Sequence, residues 1–375
     1  SDIHIGMENY SKLDPETGLS TRLLDFFNTF DFIVEKALSE DVDAVIFAGD
    51  AYKTRDPNPT QQRGFGERIS KLAKKIPVIL VVGNHDTPNA EGKANTLDIY
   101  SALEIENVFV SRKPEYLQIP TKSGMLQIIT LPWLHKNDYK SVGDKLSLLY
   151  DRIQKDSPAI FLSHCEVEGA SYGSEKGLTI ANDVTIPLPL LQDKRLSYVA
   201  LGHIHKHQVL GKDPLIVYCG SPQRIDFGEE KEEKGICLVE ISETTNFQFI
   251  PTNARKFLTI EINLKPDDQS PTKTIIDKIN KHSITDAIVR LVINIPADLD
   301  QNLEMDIIKK ALKDAHFIAG ISRNVERVER EKIDLGKSIE GLTPIDALRK
   351  YFQAKNYSPQ KQKDLEEVAV QILDS

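Results

Sequence analysis

The chain has 375 residues, with 47 Lys and Arg against 56 Asp and Glu, which gives a formal net charge of −9. This length predicts two or three domains, because single cores usually stop growing at roughly 250–300 residues. With 40% hydrophobic and 27% charged residues, the composition excludes a disordered or fibrous protein. The acidic balance excludes histone-like wrapping of nucleic acid, but it permits an enzyme that holds a phosphodiester through metal ions.

No apolar run approaches the roughly 20 residues that span a bilayer, so no membrane-spanning segment is expected. The cysteines, Cys165, Cys219 and Cys237, are odd in number, which favours a reducing compartment over a disulfide scaffold. Ser1–Gly6 lacks an initiator Met and has the pattern of the end of a strand whose beginning is missing. The absence of a signal peptide is therefore weak evidence for location.

Short apolar runs alternate with helical patterns up to about Ile250, which predicts a layered α/β domain over residues 1–250. Helices are predicted at Thr21–Leu38 and Thr60–Lys75. The charged run Glu229–Lys234 is predicted to be a solvated hairpin tip before a strand. The predicted strands are Ala44–Ala48, Val78–Val82, Leu126–Leu131, Ala159–Ser163, Tyr198–Leu201, Leu215–Cys219 and Ile236–Ile241.

A second pattern of strand, helix, strand, helix and strand occupies residues 256–330 and predicts a small α/β capping domain of ferredoxin-like type. It carries no cluster of catalytic residue types, so we expect it to shape or contact the substrate. The predicted elements are Phe257–Leu264, Thr272–Lys281, Ile288–Ile295, Leu303–Ala315 and Ile318–Val328.

A helical hairpin is predicted over residues 341–375, after a linker at 334–340. Thr343-Pro344 and Ser358-Pro359 each place a capping hydroxyl before a proline at the first helical position. A hairpin of about 30 residues cannot bury a sufficient core alone. It therefore either folds back on the body or docks on a partner. Its apolar side chains are Ile345, Leu348, Tyr351, Phe352, Leu365, Val368, Ala369 and Ile372.

Polar motifs follow the predicted strands at their carboxyl ends, where open α/β sheets bind ligands. Each motif alone is a weak signal, but their succession after apolar runs indicates one site. The motifs are Asp2-Ile3-His4, Gly49-Asp50, Gly83-Asn84-His85-Asp86, Ser163-His164 and Gly202-His203-Ile204-His205.

These residue types suit a pair of divalent cations that act on phosphorus, because such a pair needs a bridging carboxylate and neutral nitrogen ligands. Asp50 is the predicted bridge. Asp2, His4 and His205 complete one predicted site, and Asn84, His164 and His203 complete the other. Mixed imidazole, carboxylate and amide ligation suits manganese, iron or zinc. A water activated by both metals is the predicted nucleophile.

His85 is predicted to assist catalysis rather than bind metal, by protonating the leaving oxygen or stabilising the charged transition state. Asp86 either orients His85 through its second ring nitrogen or caps the following helix. Lys53 and Arg55 are candidates for contact with the substrate. His207 would share a face with His203 and His205 if the strand continued, although a surface role is the commoner case.

The remaining histidines, His135, His282 and His316, have no partner motif and are expected to be structural. Cys165 follows a predicted ligand but lacks a base beside it, so a catalytic thiol is not expected.

The motif series resembles the calcineurin-like metallophosphoesterases, and within them the SbcD nuclease family (meiotic recombination eleven in eukaryotes). The finer signals are the initial SDIHIG, the tripeptide Leu131-Pro132-Trp133 and the run GSPQRIDFGEEKEEK at 220–234. The resemblance implies a metallophosphoesterase β-sandwich flanked by helices, with the capping domain and hairpin attached.

The resemblance also implies a two-manganese DNA phosphodiesterase with exonuclease and single-strand or hairpin endonuclease activity in double-strand-break repair. It implies a homodimer in the cytoplasm, associated with the nucleoid. Its partner would be an SbcC-type ABC ATPase whose coiled coil docks on residues 341–375. With a net charge of −9, we expect DNA binding by the chain alone to be weak and sensitive to salt.

Lys53 stands where the resemblance places a second histidine. A lysine can bind phosphate but cannot exchange a proton at neutral pH. This residue supports an alternative in which the chain tethers DNA ends and cleaves weakly. A phosphomonoesterase or cyclic-nucleotide phosphodiesterase on the same dimetal site is the other alternative.

Overall fold

The computed structural model describes residues 1–88, 90, 92–135, 141–173, 184–326, 343–355 and 357–373. The chain divides into two compact units. One comprises Ser1–Ile262, Thr272–Ile293 and Glu304–Ser322, and the other comprises Asn263–Pro271, Asn294–Leu303 and Arg323–Ser375. The division into domains 1–250, 256–330 and 341–375 stays a prediction, and the linker predicted at 334–340 lies outside the described residues.

Two sheets form the centre of the first unit. The smaller sheet contains β1 (Val45–Ala48), β2 (Val78–Val81) and β3 (Val108–Ser111), all parallel and in that order. The larger sheet has the order β10-β11-β9-β6-β5-β4, in which the inner four strands are parallel and the two edge pairs are antiparallel. Its strands are β4 (Glu115–Thr121), β5 (Gly124–Leu131), β6 (Ala159–His164), β9 (Tyr198–Gly202), β10 (Gln208–Lys212) and β11 (Leu215–Tyr218).

The alternation of side chains along β2 shows how the sheets are stacked. Ile79 and Val81 enter a core that also holds Ile160 and Leu162 of β6, so the two sheets pack face to face. Val78 and Leu80 point the other way, into a core shared with two helices, α1 (Thr21–Ser39) and α2 (Pro59–Ala73). Because both faces of β2 are covered, its apolar run is unbroken.

The outer face of the larger sheet is covered by α4 (Val142–Tyr150), whose Leu146 and Tyr150 pack with Phe161 of β6. The layers are therefore helix, sheet, sheet and helix. This confirms the predicted fold class, a sandwich flanked by helices.

Local sequence explains where α2 begins. Asn58 accepts a hydrogen bond from the backbone N–H of Gln61, and the side chain of Gln61 accepts one from the backbone N–H of Asn58. Pro59 occupies the first helical position, where a missing N–H costs nothing. The structure thus starts the helix one residue before the predicted Thr60.

Six described strands were not predicted: β3, β4, β10, β13 (Thr245–Pro251) and the two-residue strands β7 (Glu166–Val167) and β8 (Thr185–Ile186). Three of them, β3, β4 and β10, form edges of their sheets, where one backbone side lacks a partner strand and apolar alternation is weaker. β4 also contains Pro120, which is tolerated mainly at sheet edges. β13 pairs with β12 (Gly235–Ile241) as an antiparallel hairpin. A short helix, α3 (Asp98–Ala102), completes this part.

The later chain shows the predicted alternation of strands and helices, with strand order β14-β15-β16. One short helix, α6, was not predicted. The predicted strand end at residues 327–328 lies outside the described residues. The elements are β14 (Phe257–Asn263), α5 (Pro271–Ile279), β15 (Ile288–Pro296), α6 (Ala297–Asp300), α7 (Met305–Ala311) and β16 (Phe317–Glu326).

The helical hairpin consists of α8 (Pro344–Ala354) and α9 (Pro359–Leu373). The hydroxyl of Thr343 accepts a hydrogen bond from the backbone N–H of Asp346, as predicted for an N-cap. Phe352 is buried among the rings of Tyr351 and Tyr357.

The charged run Glu229–Lys234 is not a solvated hairpin tip. The side chains of Glu229 and Lys234 are fully buried and form an ion pair with an oxygen–nitrogen distance of 2.8 Å. Lys and Glu are almost never fully buried unless they are paired. The prediction was wrong because the pattern of charges along the chain does not show which of them neutralise each other after folding.

Candidate metal centre

Residues from both sheets converge at the carboxyl ends of parallel strands. Asp50 follows β1, Asn84 and His85 follow β2, His164 ends β6, and His203 follows β9. The initial segment lies beside the residues after β1, because the backbone N–H of Asp2 donates to the carbonyl of Gly49 (2.9 Å) and that of His4 to the carbonyl of Asp50 (3.1 Å). This pairing brings Asp2 and His4 to the same edge.

The first cluster contains Asp2, His4 and His205, each of which offers a ligand atom within 4.8 Å of the others. The Nε2 atoms of His4 and His205 are 3.0 Å apart. His4 Nε2 is also 3.6 Å from a carboxylate oxygen of Asp50. A further cluster of the same dimensions joins His4, Asp50 and His85.

On its other side, Asp50 belongs to a cluster with Asp2 and His164, and Nε2 of His164 lies 3.4 Å from a carboxylate oxygen of Asp50. The side-chain oxygen of Asn84 lies 2.9 Å from His164 Nε2 and 3.1 Å from His203 Nδ1. From the sequence, two groups of ligands were assigned to separate metal ions. The carboxylate of Asp50 lies between these two groups.

The backbone around the cluster is strained. Asp2, His4, Asp50 and His203 have φ values of 53°, 50°, 55° and 94°, in the left-handed region that non-glycine residues rarely adopt. Such strain concentrates at functional sites, where the surrounding structure maintains it. Here the support includes hydrogen bonds from the backbone N–H of His203 to Asp2 (3.1 Å) and from that of His85 to Asp50 (2.8 Å).

Two glycines allow the site segments to approach each other closely. A Cβ on Gly202 would overlap the carbonyl oxygen of Ala48, and a Cβ on Gly83 would overlap the carboxylate and backbone nitrogen of Asp50. Any larger residue at either position would separate the strands that carry the cluster. The glycines of these motifs are therefore packing requirements of the site.

Hydrogen bonds fix which ring nitrogens carry hydrogen. Nδ1 of His164 lies 2.8 Å from the carbonyl oxygen of Ala48, and Nδ1 of His85 lies 2.8 Å from that of Lys53. A carbonyl can only accept, so Nδ1 donates in both rings. When these rings are neutral, Nε2 of each presents a lone pair.

The electrostatics favour a positive charge beside Asp50. Burial alone would lower the pKa of His164, but the charge of Asp50 raises the pKa to about 9. Burial opposes ionisation of Asp50, yet His164 and then His4 bring its pKa well below the usual value. Burial is the main cause that lowers the pKa of His4 and of His85.

The donor set fits divalent metal ions. In neutral His164, the lone pair of Nε2 faces oxygen atoms of Asn84 and Asp50, an arrangement that needs either a proton or a cation. Imidazole, carboxylate and amide donors together suit manganese, iron or zinc. The cluster can thus hold metal and activate a phosphate ester bound beside it.

Neither sequence hypothesis for Asp86 was correct. His85 uses its Nδ1 on Lys53, whereas the carboxylate of Asp86 accepts from the backbone N–H groups of Gly83 (3.0 Å), Ala51 (3.1 Å) and Tyr52 (3.3 Å). Among the described residues after Asp86, the next helix is α3, which begins only at residue 98. Burial and then the charge of Asp50 raise the pKa of Asp86 to about 7. Asp86 ties the segments after β1 and β2 together.

Lys53 and Arg55 both contact the segment around His85. Besides accepting from His85 through its carbonyl, Lys53 affects the pKa of His85. Burial is the main cause that lowers this pKa, the charge of Asp50 opposes the shift, and the charge of Lys53 lowers the pKa further. Arg55 is exposed and donates from Nε to the carbonyl of Thr87 at 2.5 Å. Arg55 therefore also has a structural contact.

The other histidines lie in structural contacts or on the surface. His207 stacks on Phe249 with ring centroids 4.2 Å apart, and its Nδ1 donates to the carbonyl of Tyr218. His135 contacts Trp133, His316 bonds Thr21, and His282 is exposed. Burial raises the pKa of Cys165 to about 12, which is unsuited to a catalytic thiol.

Glu229 is a site residue that was missed from the sequence. A carboxylate oxygen of Glu229 lies 2.7 Å from Nδ1 of His205. The only available signal was its position in the run at 220–234, which had been set apart as specific but was interpreted as a charged turn.

Among the residues that the structure describes, no helix is both long enough and apolar enough to cross a membrane.

Comparison with known proteins agrees with this site. The family model for calcineurin-like phosphoesterases matches residues 1–207. The chain is 26% identical over 264 residues to the SbcD component of the nuclease SbcCD from Bacillus subtilis (strain 168), a match that covers 64% of each protein. The crystal structure of phosphopantetheinyl hydrolase (PptH) from Mycobacterium tuberculosis matches with a TM-score of 0.28 and 12% identity, over 50% of this chain and 84% of that one.

The TM-score is too low to support any argument, but the family match covers more than half of the chain. It includes every predicted metal ligand and His85. The chain therefore belongs to the calcineurin-like phosphoesterase family, whose fold implies a phosphoesterase that depends on divalent metal ions.

Proposed function

We propose that the chain is a metal-dependent DNA nuclease, with exonuclease and single-strand or hairpin endonuclease activity, in a double-strand-break repair complex. The observation that carries the proposal is the convergence of imidazole, carboxylate and amide donors around Asp50, with His85 beside them. The choice of DNA as substrate is supported by the similarity to a protein named as part of a nuclease.

In this proposal one metal ion is held by Asp2, His4 and His205, the other by Asn84, His164 and His203, and Asp50 belongs to both. Mn²⁺ is the proposed ion, because it accepts both nitrogen and oxygen donors. When bound, two such cations activate a water molecule and neutralise charge on the phosphate.

His85 is the proposed catalytic residue. Because its Nδ1 donates to the carbonyl of Lys53, the ring is held in one orientation and Nε2 is the atom that can exchange a proton with the leaving oxygen. The backbone N–H of His85 holds Asp50 at the same time. Lys53 is proposed to place its ammonium group near the scissile phosphate, with Arg55 as a second candidate cation.

The test is cleavage of end-labelled linear and hairpin DNA in Mn²⁺ by the wild-type chain and by His85→Asn. We expect cleavage to fall by about 10²–10⁴-fold, the usual contribution of a proton-transfer group, while the bound metal stays unchanged. The matched control is His282→Asn, an exposed histidine, which should retain full activity. Loss of metal in His85→Asn would show that His85 is a ligand, and unchanged cleavage would remove it from the mechanism.

The same dimetal site could serve a phosphomonoesterase or a cyclic-nucleotide phosphodiesterase. Comparing linear DNA with a small aryl phosphate separates these functions. Intact DNA together with rapid hydrolysis of the aryl phosphate would overturn the nuclease proposal while leaving the metal chemistry in place.

Lys53 favours a third function, in which the chain tethers DNA ends and cleaves them slowly. Its ammonium group can bind phosphate, but it cannot replace a histidine in proton exchange at neutral pH. DNA binding without turnover of either substrate would support this function.

The proposed partner is an SbcC-type ABC ATPase, whose coiled coil would dock on residues 341–375. Within that segment, Val368 and Leu365 of α9 are 50% and 37% exposed although both are apolar. A homodimer acting on DNA in the cytoplasm, near the nucleoid, completes the proposal. It is supported by the similarity to a protein named as one component of SbcCD.

A further inference from the structure

Glu229 is buried beside the proposed metal centre with every oxygen engaged. One carboxylate oxygen lies 2.7 Å from Nδ1 of His205. The other accepts from the backbone N–H of Ile225 (2.9 Å) and contacts the ammonium group of Lys234 (2.8 Å). Because a carboxylate accepts here, Nδ1 of His205 donates and its Nε2 faces His4.

The group that accepts the hydrogen bond from Nδ1 of His205 differs from the groups that accept from Nδ1 of His164 and His85. His164 and His85 donate from Nδ1 to backbone carbonyls, whereas His205 donates to a full negative charge. A carboxylate in this position fixes the tautomer and the ring orientation, and it makes the opposite nitrogen a stronger electron-pair donor.

Lys234 makes the burial of this carboxylate possible. Its side chain is fully buried and contacts Glu229, Glu232 (2.8 Å) and the hydroxyl of Ser221 (2.9 Å). It also donates to the backbone carbonyl of His205 (3.2 Å). The segment therefore fixes both the ring and the main chain of His205, and the two charges offset each other's desolvation.

We propose that Glu229 is a positioning residue for metal binding, which acts through His205 and has Lys234 as its counter-ion. This inference rests on the proposed metal centre and not on the identity of the substrate. It assigns a role to a residue that lies 24 positions after its partner in sequence.

The test is calorimetric titration of the metal-free full chain with MnCl₂, comparing the wild type with Glu229→Gln. We expect the wild type to bind two ions and the variant to bind one of them about 10–100-fold more weakly, as is typical when the outer partner of a metal-binding histidine is changed. The second ion should keep its affinity. Cleavage by the variant should recover at saturating Mn²⁺, whereas cleavage by His85→Asn should not.

The matched control is Glu230→Gln, the same substitution at the next residue, where the carboxylate accepts from Thr259 instead. It should bind both ions with wild-type affinity. If Glu229→Gln does not fold, Glu229→Gln/Lys234→Met removes both buried charges and serves in its place.

Wild-type affinity for both ions in a folded variant would overturn the proposal, and so would failure of both variants to fold, since the pair would then serve stability alone. Failure of the nuclease proposal can be distinguished from failure of this inference. A wild type that binds two ions but leaves DNA intact contradicts the nuclease, and the titration of Glu229→Gln still decides this inference.

Discussion

Asp50 shows how much single contacts matter at this site. Its carboxylate accepts from the backbone N–H of His85, and its neighbours Ala51 and Tyr52 are held by Asp86. Motif spacing predicted that these residues would lie together. It could not predict that Asp86 would bind backbone groups instead of the His85 ring, because that choice depends on distances of a few ångströms between two loops.

Asp86→Asn should destabilise the folded chain by about 1–3 kcal/mol, because an amide NH₂ group cannot accept and at least one buried N–H would lose its partner. Urea unfolding monitored by circular dichroism would measure the change. The control is Asp144→Asn, an exposed carboxylate on α4, for which we expect almost no effect. Equal stability of wild type and Asp86→Asn would show that water satisfies these N–H groups.

At the scale of elements, local signals predicted α1 and α2 closely and missed the edge strands. The apolar face of α1 and the capping residues of α2 are encoded within a few positions, so both helices lie close to their predicted bounds. The edge strands β3, β4 and β10 were missed because an edge strand takes its structure from a neighbour that is distant in sequence. β4, for example, pairs with β5 through Tyr116 and Ile129.

The capping box of α2 gives a prediction at this scale. Asn58→Ala should lower the free energy of unfolding by about 0.5–2 kcal/mol, because the N–H of Gln61 loses its acceptor. Asn58→Ser, which keeps an acceptor, should lose much less. The difference between the urea unfolding midpoints of the two variants measures the stability that the capping hydrogen bond contributes. Identical midpoints would show that this hydrogen bond contributes nothing.

At the scale of the whole molecule, the net charge and the exposed apolar surface both favour a chain that acts on DNA together with a partner protein. A formal charge of −9 gives little general attraction to DNA, so binding would depend on the metals and on a partner. The apolar side chains exposed on α9 offer a surface of the kind that a coiled coil recognises. This fits the proposal of a catalytic component that works together with an ATPase.

Val368→Lys should weaken binding of the proposed ATPase at least tenfold without changing DNA cleavage by the isolated chain, because it places a charge in the apolar contact. Binding would be measured by calorimetry with the purified ATPase. The control, Glu367→Lys, introduces the same side chain about 100° further round α9 and should bind more tightly than Val368→Lys. Equal affinities for wild type and Val368→Lys would exclude this face of the hairpin.

The sequence by itself determined a layered α/β fold, the strands that carry the site, and the residue types at their carboxyl ends. These follow from local periodicity and from motifs a few residues long. Only the tertiary structure decided the partners: His4 meets His205 across 201 positions, and Glu229 and Lys234 are buried as a pair. The physical reason is that periodicity reports which face of an element is apolar, whereas the cost of burying a charge depends on whatever folding places opposite it.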